Sequence, residues 1–175
     1  HQLITTLQLS NVVLVGHSLG AIVCSLYAAT KPIELKGFIA IESCGPLAAP
    51  DSTTSEQLTA CFESRHKAQS AIKNPTSMEH VIRARCSISD LSEKQARIIL
   101  SRNILELDGN FSWCTDKRLR TTSVYRMTEE QANNILNNIV CPRLIILGNQ
   151  GFEKVKTNID CRKLAFQNTP LYTFN

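Results

Sequence analysis

Residues 11–21 read Asn11-Val12-Val13-Leu14-Val15-Gly16-His17-Ser18-Leu19-Gly20-Ala21. Four consecutive apolar residues, Val12 to Val15, run into a Gly-x-Ser-x-Gly turn, and Leu19 to Ala29 then carries apolar groups at helical spacing. The apolar run lacks alternation, which predicts a strand buried on both faces, and the segment after the turn predicts a helix. Strand, sharp turn and helix meet at Ser18, the arrangement of a nucleophile elbow.

The two glycines have a steric reason. A serine at such a turn sits in a strained backbone conformation, and side chains two residues before and after it would collide with neighbouring backbone, so glycine is expected at both Gly16 and Gly20. The turn lifts the Ser18 hydroxyl clear of the sheet edge. His17, just before the serine, is expected to pack beside the oxyanion site rather than reach the hydroxyl. The amide of Leu19, first in the helix, points where a tetrahedral oxyanion would form.

Working outward, residues 1–9 place Leu3, Ile4 and Leu7 at helical spacing, the end of a helix before the elbow strand. Downstream, Lys31-Pro32 breaks the elbow helix, and Leu35 to Glu42 predicts the next strand, closed by the turn signals Ser43, Gly45 and Pro46. A helix between two short apolar strands is a crossover, which implies that the strands are parallel. Glu42 then lies at the carboxyl end of its strand, on the same sheet edge as Ser18.

From about residue 50 to 138 the sequence changes character: polar on one side, helical, with no clear strand. Helices are expected over residues 55–72, 77–86 and 92–107, the last opened by the capping box Ser92 to Gln95, with Asp108-Gly109-Asn110 ending it. A second box, Thr128 to Gln131, opens a helix to about Asn138. Sheet character resumes at Cys141 to Gly148; residues 154–166 are a helix candidate and Leu171 to Phe174 a last strand. The reading divides the chain into core segments at 1–50 and 139–175 around a helical insertion at 51–138.

Composition narrows the classes. With 175 residues, 43% of them hydrophobic and 19% charged, the chain has the length and balance of one globular domain. The net charge of +4 is modest and scattered apart from Lys117 to Arg120, which argues against a nucleic-acid surface. Seven cysteines, Cys24, Cys44, Cys61, Cys86, Cys114, Cys141 and Cys161, show no C-x-x-C pair and no histidine at metal-ligand spacing. Reduced thiols in a cytoplasmic protein are the expectation, with no zinc site and no disulfide framework. No apolar run approaches the roughly 20 residues that cross a bilayer, and no secretory signal is visible.

On Gly16-His17-Ser18-Leu19-Gly20, with a strand before and a helix after, the chain resembles the α/β-hydrolase superfamily in its esterase, lipase and C-C hydrolase members. The resemblance implies an α/β fold: a parallel sheet flanked by helices, with residues 51–138 as a helical cap, and without the superfamily's N-terminal strands and C-terminal histidine segment. Phe111-Ser112-Trp113, Asp116, Leu119-Arg120 and Thr128 to Gln131 look like the serine-hydrolase-like group.

A serine hydroxyl needs a base to take its proton and an acid to orient that base. The resemblance makes Ser18 the nucleophile. For the acid, residues 149–152, Asn-Gln-Gly-Phe, lack the aspartate that many hydrolases place there. Glu42 is the first choice, in a Glu-x-x-x-Pro context, Glu42 to Pro46, that resembles certain haloalkane dehalogenases. Asp51 and Glu153 are weaker candidates. Those dehalogenases attack with an elbow aspartate, whereas a serine supports acyl transfer. Of the histidines, His1, His17, His66 and His80, none suits the base, which is expected beyond Asn175 in a longer parent chain; the isolated stretch is then expected to be nearly inactive.

The function implied is hydrolysis of an ester or related acyl bond of a small-molecule substrate through an acyl-enzyme on Ser18, with no metal or organic cofactor. A C-C bond hydrolase, or a non-catalytic hydrolase-fold protein binding a small apolar ligand or partner under the cap, are the alternatives.

Overall fold

The structure is a computed structural model that describes residues 1–68 and 74–175. Its contacts divide into two compact units, residues 1–54 with 126–175, and residues 55–125.

The first unit is built on the quoted stretch. A short helix α1 (Gln2–Thr6) precedes strand β1 (Val12–His17), which turns at Ser18 into helix α2 (Leu19–Ala28). Strand β2 (Leu35–Ile41) follows, then, after the second unit, helix α6 (Glu129–Asn137), strand β5 (Arg143–Gly148), helix α7 (Glu153–Cys161) and strand β6 (Leu171–Phe174). The four strands form a parallel sheet in the order β1-β2-β5-β6, with Leu14 opposite Phe38, Ala40 opposite Ile145 and Ile146 opposite Tyr172. A parallel sheet puts every carboxyl end at one edge, and the residues following β1, β2 and β5 meet there.

Small residues set how closely α2 lies on the sheet. Ala21, Ser25 and Ala28, spaced at four and three residues along one helix face, are fully buried. Ala21 and Ala28 join Phe38, Ala40, Leu136, Ile139 and Ala165 in one core, with Val12 and Leu14 of β1 at its margin. The opposite face of β1 is open: Val13 is 54% and Val15 60% exposed. A strand covered on both faces was expected, and its apolar run hides that only the alternate residues Val12 and Leu14 face the helix layer; the sheet spacing puts Val13 and Val15 on the other side.

The second unit holds helix α3 (Thr54–Ala68, beginning one residue before the unit), α4 (Met78–Cys86) and α5 (Glu93–Leu100), and a hairpin of β3 (Ile104–Leu107) and β4 (Asn110–Trp113). Both expected capping boxes form, at Ser92 with Gln95 and at Thr128 with Gln131. Val81, Ile82, Ala96, Leu100 and Ile104 make this unit's core, flanked by Phe111 and Trp113.

Two expectations are corrected here. The insertion is not all-helical: the helix expected to reach Leu107 stops at Leu100, and an antiparallel hairpin follows. Its turn, Asp108-Gly109, has φ of +50° and +73°, the two left-handed residues that match the twist of the strands they join. The second compact unit also ends at Tyr125 rather than 138, because α6 buries Leu136 and Ala132 and its Leu136 lies in the sheet's own core. The part of the first expected helix from 69 to 72 lies outside the described residues.

Candidate active site

The elbow forms as a strained turn. Ser18 has φ +50° and ψ −118°, a region that non-glycine residues rarely occupy and that costs on the order of 1–3 kcal/mol. Hydrogen bonds hold it there: the Ser18 amide donates to the Ile41 carbonyl at 2.8 Å, and the Ser18 carbonyl accepts from the amides of Ala21 and Ile22 at 3.0 and 3.2 Å. The residue is therefore fixed between β2 and the first turn of α2. Its side chain is exposed at the sheet edge. Leu19 opens α2, where amides of the first turn have no acceptor within their own helix.

Gly16 is sterically required. A Cβ there would lie 2.5 Å from both the amide nitrogen and the α-carbon of Ala21. Gly20 is not: a Cβ there would meet nothing within 4 Å, so the expected steric demand at this second glycine is absent. The first glycine lies under the returning helix backbone, whereas the second already belongs to the helix and faces outward. His17 ends β1 in the alternation of Val13 and Val15, on the face away from α2, and is exposed.

Glu42 follows β2 with φ +49°, and its amide donates to the Ile146 carbonyl at 2.9 Å. Its half-buried carboxylate does not extend into solvent. Oε1 accepts from the amide of Gly148 at the end of β5. A Cβ on Gly151 would overlap this carboxylate, 2.6 Å from Oε1 and 2.8 Å from Cδ. The turn after β5, which has no acidic side chain of its own, thus cradles one that reaches across from β2.

Ser18 and Glu42 line the same pocket, of about 210 Å³. Ile22, Leu47, Phe152 and Val155 supply its apolar wall, and Cys44 and Asn158 its inner side. Asp51 lies elsewhere, its carboxylate accepting from the Ser52 amide, and Glu153 is at the exposed start of α7, 3.9 Å from Lys156. Neither lines this pocket. His66 and His80 are exposed residues of the second unit.

Arg162, which the sequence reading did not single out, is a buried structural neighbour of the loop after Glu42. It is 1% exposed, and its Nη1 donates to the Cys44 carbonyl at 2.8 Å. Its Nε and Nη2 donate to the two Glu129 carboxylate oxygens at 2.5 and 3.0 Å. This bidentate pair ties the start of α6 and the end of α7 to the loop after Glu42. Burial opposes the Arg162 charge, but the bonds to Glu129 and the facing Cys44 outweigh it, so its affinity for the proton rises. The same bond from Arg162 holds the Glu129 carboxyl below its usual range. Burial pushes the Cys44 thiol up, against the pull of Arg162. Nothing in the polar run from 154 to 166 marks one arginine for burial, since its partners come from residues more than 30 positions away.

The family model described as the alpha/beta hydrolase fold matches residues 1–76. Among solved structures, a hypothetical protein from Pseudomonas aeruginosa superposes with a TM-score of 0.82 at 22% identity over 98% of this chain and 61% of its own. This chain has the α/β-hydrolase fold. A thioesterase domain from the curacin biosynthetic pathway gives a TM-score of 0.70 at 23% identity, covering 99% of this chain and 63% of its own. An esterase from M. tuberculosis gives 0.61 at 15% identity, covering 93% and 55%. The chain thus spans about three fifths of the length of the solved structures it matches first. No curated protein sequence matches it. Among the described residues, no helix is long and apolar enough to cross a membrane.

Proposed function

We propose that the whole protein is a serine hydrolase that cleaves an ester or related acyl bond of a small molecule through an acyl-enzyme on Ser18. The observation that carries this is one pocket lined both by a serine held at positive φ on a strand-to-helix turn and by a glutamate whose carboxylate accepts from the amide of Gly148. Backbone strain persists where the surrounding structure over-determines it, and here hydrogen bonds to β2 and to the first turn of α2 do so. The esterase and thioesterase names of structures with this fold agree with acyl transfer.

In this reading an imidazole contributed by the whole protein takes the Ser18 proton as Oγ attacks the acyl carbon. The Leu19 amide donates to the oxyanion, and the proton returns to the departing alcohol. Water then repeats the sequence to free the acid and restore the hydroxyl. Glu42 is the positioning residue, holding the base in one tautomer. His17 completes the elbow backbone and has no part in proton transfer. The insertion at 51–138 is read as the cap of such a protein, and the protein as cytoplasmic. No step calls for a metal or organic cofactor.

The test is covalent labelling by a fluorophosphonate on the longest parent chain. Wild type is expected to label, Ser18→Ala not at all, and Glu42→Gln about 10³ to 10⁴-fold more slowly, as expected when the imidazole loses its orienting charge. A folded parent that does not label would leave the elbow as a structural turn and favour a binding protein.

A further inference from the structure

The second unit contains a groove with a volume of about 710 Å³, none of whose described lining residues lines the Ser18 pocket. Val81 and Leu100, 8% and 6% exposed, form its floor with Trp113. His80, Arg85 and Arg120 line it as well, and none of its described lining residues is acidic. The Arg120 guanidinium lies 5.0 Å from the centre of the Trp113 ring. Stacking fixes the plane of that group and leaves its edge N–H donors directed sideways. The acidic residues beside these cations in sequence are engaged by other arginines: Glu79 by Arg97 at 3.5 Å and Asp116 by Arg118 at 2.6 Å.

An apolar floor beneath guanidinium groups that, among the described residues, form no ion pair fits a molecule that is apolar along its length and negative at one end. We propose that this groove binds an alkyl carboxylate: the tail lies on Val81, Leu100 and Trp113, and the headgroup accepts from Arg85 and Arg120. A carboxylate presents two coplanar oxygens to the coplanar N–H fork of arginine, which an alcohol or a cation of the same length cannot do. No covalent step is involved, and every described lining residue belongs to residues 55–125.

The chain carries its own reporter, because Trp113 is its only tryptophan. The full chain is titrated with decanoate, decanol and decyltrimethylammonium while tryptophan emission is followed. Decanoate is expected to give a saturable change, to bind at least tenfold more tightly than decanol, and to weaken with added salt. Shortening the acid is expected to weaken binding by up to roughly fourfold per methylene. Arg85→Gln is expected to weaken decanoate about tenfold. Ile88→Glu adds a negative charge at a groove residue that is 77% exposed, so the fold is kept; it is expected to abolish decanoate binding while sparing decanol. The proposal is overturned by the absence of a saturable change, by equal affinity for decanoate and decanol, or by undiminished decanoate binding in folded Ile88→Glu.

Discussion

Ser18, Gly16 and Gly151 show three ways in which one residue decides the site. Ser18 bears backbone strain that its neighbours hold in place; Gly16 and Gly151 act by lacking a side chain, one under the backbone of α2 and the other against the Glu42 carboxylate. The pair Gly16 and Gly20 separates motif from mechanics. Gly16→Ala drives a methyl into the Ala21 backbone and is expected to cost about 1–3 kcal/mol, the range for overpacking. Gly20→Ala, with open space around it and a helical position, is expected to change stability by less than about 1 kcal/mol, with stabilisation the favoured sign. Urea midpoints of the two variants check this; equal losses would mean that the second glycine carries a constraint the geometry does not show. Glycine at both positions was legible in the sequence, but the unequal need for it was not, because that depends on which way α2 returns over β1.

At the scale of elements, the arginine that joins α6 to α7 offers the sharpest test. Arg162 has a side chain with no exposed surface, while its partner Glu129 is 43% exposed. Glu129→Gln therefore strands a buried cation, although solvent near the pair reduces the cost from the several kcal/mol of a fully buried pair to about 2 kcal/mol. The bond from Arg162 lowers the Glu129 pKa below its ordinary 4.5, so its contribution is complete above that value and is lost as pH falls through the lower folded-state pKa. The stability gap between wild type and Glu129→Gln is accordingly expected to be constant near neutrality and to close below about pH 4.5. A gap independent of pH down to 3 would show that the carboxylate charge is not what matters. The capping boxes at Ser92 and Thr128 were readable because they are local, four residues in one turn. The hairpin carried an equally local signal, Asp108-Gly109 between Ile104-Leu105-Glu106-Leu107 and Asn110 to Trp113, which yields to the helical reading only if the preceding apolar spacing is extended past Leu100.

For the whole molecule, two cores with no buried residue in common imply two separable responses. Leu136 is 1% exposed in the core of the sheet unit, and its truncation to alanine is expected to cost about 2–5 kcal/mol there. Trp113 flanks the other core. Leu136→Ala is expected to lower the midpoint of the circular-dichroism transition while leaving the tryptophan-emission midpoint within error. A matching shift of both signals would show that the two units unfold as one.

The sequence alone determined the strand, the strained turn and the helix at Ser18, the parallel connection to β2, and both capping boxes. All of these follow from periodicity and from steric rules acting over a few residues. It also placed Ser18 and Glu42 at one sheet edge, since parallel strands bring their carboxyl ends together. Only the tertiary structure decided that the Glu42 carboxylate rests in the turn after β5, that Arg162 is buried beneath Cys44, and that α6 packs with the sheet. The physical reason is range: each of these depends on groups from distant parts of the chain arriving in the same space, and hydrogen-bond geometry and side-chain volume there have no counterpart in local sequence pattern.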